Sequence, residues 1–294
     1  MVDAQATTLI TGAASGLGWE LAQRYARLGH RLLLVDCNAE ALEECLTHLQ
    51  TQLQTQQPQA NHCSKVQDLT GLDAAEQIVA WVATLTPSLT LLINNAGITH
   101  RSVAQKTQPA VFRRVMAVDY FAPLELTLAL RPLLETAPDH RDRGVIVIGS
   151  MAGWMPVLGR AGYCAAKAAL HQFFETARAE GLIRADELTL IYPSFLATPI
   201  EQNALDQNGH RAQHRRSSVG KIRDAGWMAE RIITNHRKRK RRCFPDRFSA
   251  MAAWLYRLWP DLYLRLMRQR LAEELTSDQS VRPGSPPHPN THHH

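Results

Sequence analysis

The stretch Thr11-Gly12-Ala13-Ala14-Ser15-Gly16-Leu17-Gly18 constrains this chain more than any other. It follows a short apolar run, Thr7-Thr8-Leu9-Ile10, and opens an amphipathic segment, Leu17 to Leu28, that Gly29 ends. A strand therefore passes through a glycine-rich turn straight into a helix. The helix N-terminus offers N–H groups with no intrahelical acceptor and a partial positive charge, which suits a pyrophosphate. Glycines let the turn be tight and bring the backbone close to the phosphate. Their spacing, at 12, 16 and 18, differs from the commoner G-x-G-x-x-G. Such a turn also occurs without a ligand, so the rest of the chain has to decide.

The rest alternates in the same way. Arg31 to Val35, Leu89 to Ile93, Gly144 to Ile148 and Leu188 to Tyr192 read as strands. Ala39 to about Gln54, Val111 to Leu134 and Tyr163 to Gly181 read as helices, and the Gln/Thr-rich residues 50–60 as a helix end and loop. Strands alternating with helices predict an α/β fold with a parallel sheet covered on both faces. The near-continuous apolar strands agree, because parallel strands are buried on both sides. No apolar run reaches the ~18 residues that span a bilayer, and the N-terminus lacks a basic and apolar leader. Five scattered cysteines fit a reducing compartment better than a disulfide framework. The expectation is a cytoplasmic protein, with peripheral contact to a membrane as the alternative.

Asp36 closes the second strand, 18 residues after Gly18. A carboxylate there can accept hydrogen bonds from both hydroxyls of an adenosine ribose and would repel a 2′-phosphate. No Lys or Arg stands at Ser15 or just after Asp36, which favours NAD over NADP. The bland alternative is a strand-end Asp capping the next turn.

Ser150 follows a strand, Tyr163 comes thirteen residues later, and Lys167 lies one helical turn beyond Tyr163. Positions i and i+4 share a helix face. An ammonium beside a phenol favours the tyrosinate and draws the Tyr pKa down from its usual ~10. Ser150 can hold a substrate oxygen while Tyr163 exchanges its proton. Y-x-x-x-K alone is weak, but its combination with Ser150 and the glycine turn is specific.

These motifs, with Asp68-Leu69, NNAG at 94–97, YCAAK at 163–167 and Pro193 with Thr198, resemble the short-chain dehydrogenase/reductase family in order and interval across roughly residues 5 to 200. The resemblance implies a single Rossmann-type doubly wound domain with a seven-stranded parallel sheet, usually in a homodimer or homotetramer. It implies an NAD(P)-dependent enzyme interconverting an alcohol and a carbonyl. Gly12, Ser15, Gly16, Leu17, Gly18 and Asp36 would bind the cofactor. Asp68 and Leu69 would lie near the adenine, Asn95, Ala96 and Gly97 would line the cofactor, Tyr163 and Lys167 would also bind it, Lys167 at the nicotinamide ribose, and Pro193 and Thr198 would flank the nicotinamide. Two positions depart from the family's pattern. Asp119 stands where the family usually has a catalytic Asn, and Ser194 where it usually has Gly. A carboxylate at 119 would raise the Lys167 pKa and oppose the tyrosinate.

The expected division is a catalytic domain over 1–235, with a substrate lid at about 200–225, a basic amphipathic helical extension over 236–276, and a disordered tail over 277–294. Lids of this kind are usually mobile. His210 and His214 read as surface residues, and no metal site is expected. Basic residues concentrate between Arg211 and Arg270, with 17 Lys/Arg against 4 Asp/Glu. Within that stretch, Arg237 to Arg242 is an unbroken basic hexamer, followed by aromatic and leucine-rich segments on either side of Pro260. Two amphipathic helices over 237–271 lying on an anionic membrane is one reading; packing on the domain or a partner subunit is the other. A nucleic-acid role is the weakest. Membrane contact would point to a lipophilic steroid or acyl-lipid substrate. Against the enzyme stand a catalytically weak nucleotide-binding scaffold or sensor and a membrane-surface binding protein.

Overall fold

The computed structural model describes residues 5–53, 61–213, 222–244 and 247–270. The glycine turn joins β1 (Thr7–Thr11) to α1 (Gly16–Arg27). Next come β2 (Arg31–Asp36), α2 (Ala39–Leu53), β3 (Cys63–Val66), α3 (Ala74–Leu85) and β4 (Leu91–Asn94). They are followed by α4 (Pro109–Met116), α5 (Ala122–Glu135), β5 (Gly144–Ile148), α6 (Ala161–Ala179) and β6 (Leu188–Ile191). The chain continues through α7 (Ala225–Arg237), β7 (Arg242–Cys243), α8 (Arg247–Leu258) and α9 (Pro260–Arg270). The strands form one parallel sheet in the order β3-β2-β1-β4-β5-β6-β7. The winding reverses between β1 and β4, which opens a crevice at the carboxyl ends of the strands. The fold is the doubly wound, single-domain α/β architecture expected.

Both faces of the sheet are covered. Leu17, Leu21, Tyr25 and Leu42 on α1 and α2, with Met228 and Ile232 on α7, pack on one side. Ile78, Val82, Leu126, Leu130, Leu170 and Phe174, from α3, α5 and α6, pack on the other. Every residue of β1, β4, β5 and β6 is buried, which is why these strands stand out as apolar runs. The edge strands do not: β3 (CSKV) is half-exposed and β7 has only two residues.

Three elements differ from the sequence reading. The helix expected over 111–134 starts at Pro109 and is interrupted by a π-helical turn, Ala117–Phe121. Pro123 gives the reason. It has no N–H to donate, and its ring crowds the carbonyl four residues back, that of Asp119. A wider turn, closed by Ala122 N–H on the Ala117 carbonyl, relieves the crowding. The division expected after residue 235 falls inside α7, and the sheet takes its seventh strand from 242–243.

The basic hexamer is the third difference. It is the connection from α7 to β7, at the amino-terminal edge of the sheet. Arg237 makes two bonds to the buried Asp142 carboxylate, at 2.6 and 2.7 Å. Arg239 donates to the carbonyls of Arg143 and His140, and Arg242 pairs with Glu175 at 2.7 Å. His30 also meets Asp142, at 3.1 Å, and His236 donates from Nε2 to the Asp142 carbonyl at 3.1 Å while its Nδ1 meets Thr189 Oγ1 at 2.9 Å. Arg237 and Arg239 therefore clamp the lower edge of the sheet, at the end opposite the crevice, while Arg242 ties β7 to α6.

Candidate active site

α1 begins with its N–H groups uncommitted. Ser15 makes no side-chain cap, and the first bond within the turn runs from Trp19 N–H to the Ser15 carbonyl. The turn leading to it is fixed sterically. Gly12 has φ +63°, and a Cβ there would meet Ala96 Cα at 2.8 Å. A Cβ on Gly18 would stand 2.0 Å from the Gly12 carbonyl oxygen, so helix and turn can touch only with glycine there. Asn95 locks the same turn from β4, its Nδ2 donating to the carbonyls of Thr11 and Gly12 at 3.0 Å each. Asp36 sits beside it at the end of β2. Its two oxygens accept N–H bonds from Ala14 and Asn38, both 3.0 Å. The capping role and a ribose-binding role are thus compatible, since each carboxylate oxygen keeps a lone pair.

The Ser–Tyr–Lys set is built from β5 and α6. Ser150 leaves β5 in an extended conformation and caps the short 3-10 turn Met151–Gly153, its Oγ accepting from Ala152 N–H at 3.1 Å. The Pro193 carbonyl accepts from Met151 N–H, which ties the end of β6 to this loop. Tyr163 stands in the first turn of α6 and Lys167 one turn later, its Nζ 5.8 Å from the Tyr163 ring centroid. Ser150 and the Tyr163 phenol both line the crevice. Lys167 is buried and donates to the Ile148 carbonyl at 3.1 Å.

Asp119 completes the cluster from behind. Fully buried on the π turn, its Oδ1 lies 2.9 Å from Lys167 Nζ and its Oδ2 accepts from Ile98 N–H at 3.3 Å. Gly97 makes room for it, because a Cβ there would stand 2.7 Å from Asp119 Oδ1. The electrostatic result has a clear sign. Burial alone would lower the Lys167 pKa, but Asp119 and Tyr163 outweigh it and hold the ammonium charged. Burial raises the Asp119 pKa against the pull of Lys167. Burial also raises the Tyr163 pKa; Lys167 and Ser150 pull it down, and the Asp119 charge adds to the rise.

One cavity of about 1050 Å³ joins these parts. Its walls include Gly12, Ser15, Gly16, Leu17, Asp36, Asp68, Leu69, Asn95, Ala96, Gly97, Ser150, Tyr163, Lys167, Pro193 and Thr198, together with Ser194. Gly18 and Asp119 lie one layer behind. Thr198 packs on the glycine turn, within 3.1 Å of where a Gly16 Cβ would be. The volume is at the upper end of small-molecule pockets, which accommodates an extended dinucleotide with a second reactant.

Two parts of the wall escaped the sequence reading. The segment expected to be a mobile lid is stitched down over residues 196–213. Leu205 N–H bonds the Thr99 carbonyl and Arg101 N–H the Leu205 carbonyl. Buried Arg160 joins Thr99 Oγ1 at 3.0 Å and Glu201 at 2.9 Å. His100 Nε2 accepts from Gly162 N–H at 2.9 Å, so its ring is neutral there, and burial with the Arg160 charge lowers its pKa to about 4. His210 is exposed beside Asp206, and His214 lies outside the described residues. The second part is the α8–α9 hairpin. Met251, Trp254, Leu255, Leu258, Trp259, Tyr263, Leu266 and Met267 all face the cavity. Tyr263 anchors it by donating to the Pro156 carbonyl at 3.0 Å, and Tyr256 packs edge-on to Tyr263. The tail over 277–294 lies outside the described residues.

A parallel sheet that opens such a crevice beside a glycine turn defines a Rossmann-type nucleotide-binding protein. The chain belongs, within that class, to the short-chain dehydrogenase/reductase family: the model for short chain dehydrogenase matches residues 6–209. It is 33% identical over 280 residues to "Dehydrogenase/reductase SDR family member 7B" of Bos taurus, covering 94% of this chain and 84% of that one. It is 30% identical over 264 residues to "Dehydrogenase/reductase SDR family protein 7-like" of Drosophila melanogaster, with 89% and 79% covered. A short-chain dehydrogenase/reductase from Burkholderia phymatum in complex with NAD superposes with a TM-score of 0.71 at 19% identity, covering 97% of this chain and 98% of that one. A short-chain dehydrogenase from Sphingobium yanoikuyae in complex with NADPH gives 0.68 at 20%, with 96% and 98% covered. At such identities the two structures speak to the fold alone. Among the described residues no helix is long and apolar enough to cross a membrane.

Proposed function

We propose that this chain is an NAD(H)-dependent oxidoreductase interconverting a lipophilic alcohol and its ketone or aldehyde. The observation that carries the reading is the convergence of Ser150, Tyr163 and Lys167 on the wall that also holds the glycine turn. The nicotinamide, when bound, supplies or accepts the hydride. The chain's own residues do the rest. Ser150 Oγ holds the substrate oxygen. In reduction the Tyr163 hydroxyl gives its proton to that oxygen as the carbonyl becomes an alcohol, and in oxidation the tyrosinate takes it back. Lys167 steadies the tyrosinate by its charge.

The glycine turn and the open first turn of α1 would hold the pyrophosphate. Asp36 would hold the adenosine ribose, with Asp68 and Leu69 beside the adenine. Among the described residues no Lys or Arg lines the cavity next to Asp36, so a 2′-phosphate there would meet a carboxylate. That supports NAD over NADP. The apolar side chains of α8 and α9 at the far end support a lipophilic substrate over a sugar.

The test is a parallel titration of the protein with NADH and NADPH, followed by nicotinamide fluorescence. The reading expects NADH to bind at least about tenfold more tightly, in line with a repelled 2′-phosphate. A preference for NADPH would overturn the Asp36 argument. Binding of neither would leave the catalytically weak scaffold as the better account.

A further inference from the structure

The α8–α9 hairpin has two apolar sides. Ala253, Tyr263 and Met267 seat it on the domain. Met251, Trp254 and Leu258 lie at i, i+3, i+7 on α8; Trp259, between the helices, and Leu262 and Leu266 on α9 continue the stripe. All six are exposed, Trp254 by 64% and Trp259 by 59%, and all but Leu262 also line the cavity. The stripe is therefore the rim of the active-site mouth. Two large amphipathic rings and four aliphatic side chains facing outward in one stripe exceed the scattered apolar exposure of an ordinary surface.

We propose that this rim docks on an anionic lipid bilayer, so that the cavity opens into the apolar layer. Charge selects the occupant. Residues 247–270 carry five arginines and one acid, Asp261. Arg257, Arg265 and Arg268 are exposed on the same hairpin, and Arg265 borders the stripe on α9. A second copy of the chain applied to the same face would bring like charges together around an apolar centre. An anionic headgroup layer meets the arginines, while tryptophans sit at the depth where headgroups meet acyl chains. The basic hexamer takes no part, since Arg237 and Arg239 are engaged at the opposite end of the sheet and Arg242 is paired with Glu175. The proposal rests on the lipophilic-substrate reading only for what docking would serve; its test involves no turnover.

The experiment is flotation of the full chain with vesicles of phosphatidylcholine alone or with about one third phosphatidylglycerol. The wild type should float with the anionic vesicles, weakly with the neutral ones, and less as salt rises. Arg265→Gln with Arg268→Gln should weaken binding by about 25-fold, at about fivefold for each arginine. Leu262→Gln, which leaves the cavity wall untouched, should also weaken it. NADH titration of each variant reports that the fold is intact. Absence of wild-type binding to anionic vesicles, or unchanged binding by both variants with the fold intact, would overturn the proposal. So would a solution dimer that Leu262→Gln converts to monomer, which would assign the face to a second copy.

Discussion

Replacing Asp119 with Asn removes one negative charge from behind the candidate Tyr–Lys pair while keeping the side chain's size. Lys167 Nζ is 2.9 Å from Asp119 Oδ1 and 5.8 Å from the Tyr163 ring centroid. The carboxylate thus lies within about 9 Å of the ring, and at an effective dielectric near 20 two unit charges at that distance interact by about 1.8 kcal/mol. One pKa unit is about 1.4 kcal/mol. The Asp119 charge opposes the tyrosinate, so its loss should lower the Tyr163 pKa by about one unit. Lys167 would then lose the partner that outweighs its burial, and its own pKa should fall. Alcohol oxidation needs the tyrosinate, so kcat/KM for oxidation at saturating NAD should rise toward its plateau about one pH unit earlier in Asp119→Asn than in the wild type. Carbonyl reduction, which needs the phenol, should be lost about one unit earlier on the alkaline side. The variant should also be less stable, because breaking a buried pair leaves an uncompensated charge at a cost of about 3–5 kcal/mol. The assay is the pH profile of both directions, with thermal melting alongside. Coincident profiles in a folded variant would refute the electrostatic reasoning.

Three further outcomes follow from particular contacts. Gly18→Ala places a methyl 2.0 Å from the Gly12 carbonyl, so the turn must open; fluorescence titration should show NADH affinity reduced by at least about tenfold. Asp36→Ala should weaken NADH binding and narrow the gap between NADH and NADPH in the same titration, because the repulsive carboxylate is gone. Asp142→Asn should lower the melting temperature without changing NADH affinity, since its pair with Arg237 lies at the far edge of the sheet; the cost is about 3–5 kcal/mol for a buried pair. Its pH dependence has a definite sign. Burial works to raise the Asp142 pKa, but Arg237 and His30 hold it well below the usual carboxylate range. Its stabilisation is complete above the unfolded value of ~4 and is lost as pH falls through the depressed folded value. The melting-temperature gap between wild type and Asp142→Asn should therefore close in strong acid.

The buried centre of this fold was legible because it writes a local signal. β1, β4, β5 and β6 are buried along their whole length and mostly apolar, and the glycine turn, Ser150, Tyr163 and Lys167 lie at short fixed intervals. What stayed hidden depends on distant partners. β3 and β7 sit at the edges, where half-exposed strands need no apolar run. The π turn at 117–121 follows from Pro123, which shows in the sequence as a helix breaker but not as a wide turn. The hexamer reads as six free cations until Asp142, about a hundred residues earlier, is brought to Arg237. Arg160 is a buried charge whose partners, Thr99 and Glu201, are scattered along the chain. The α8–α9 hairpin was recognisable as amphipathic; that its open side rims the candidate active site depended on where β7 delivers it.

The most direct test of the central claim follows the hydride and the proton separately. The wild type and Tyr163→Phe are incubated with NADH carrying deuterium at the transferable position and a panel of lipophilic ketones, and the alcohols are analysed by mass spectrometry. The account predicts one deuterium on carbon in the alcohol formed by the wild type. It predicts a rate lower by about 10²–10⁴ at saturating NADH in Tyr163→Phe, with NADH still bound. Deuterium transfer at an undiminished rate by Tyr163→Phe would contradict the account.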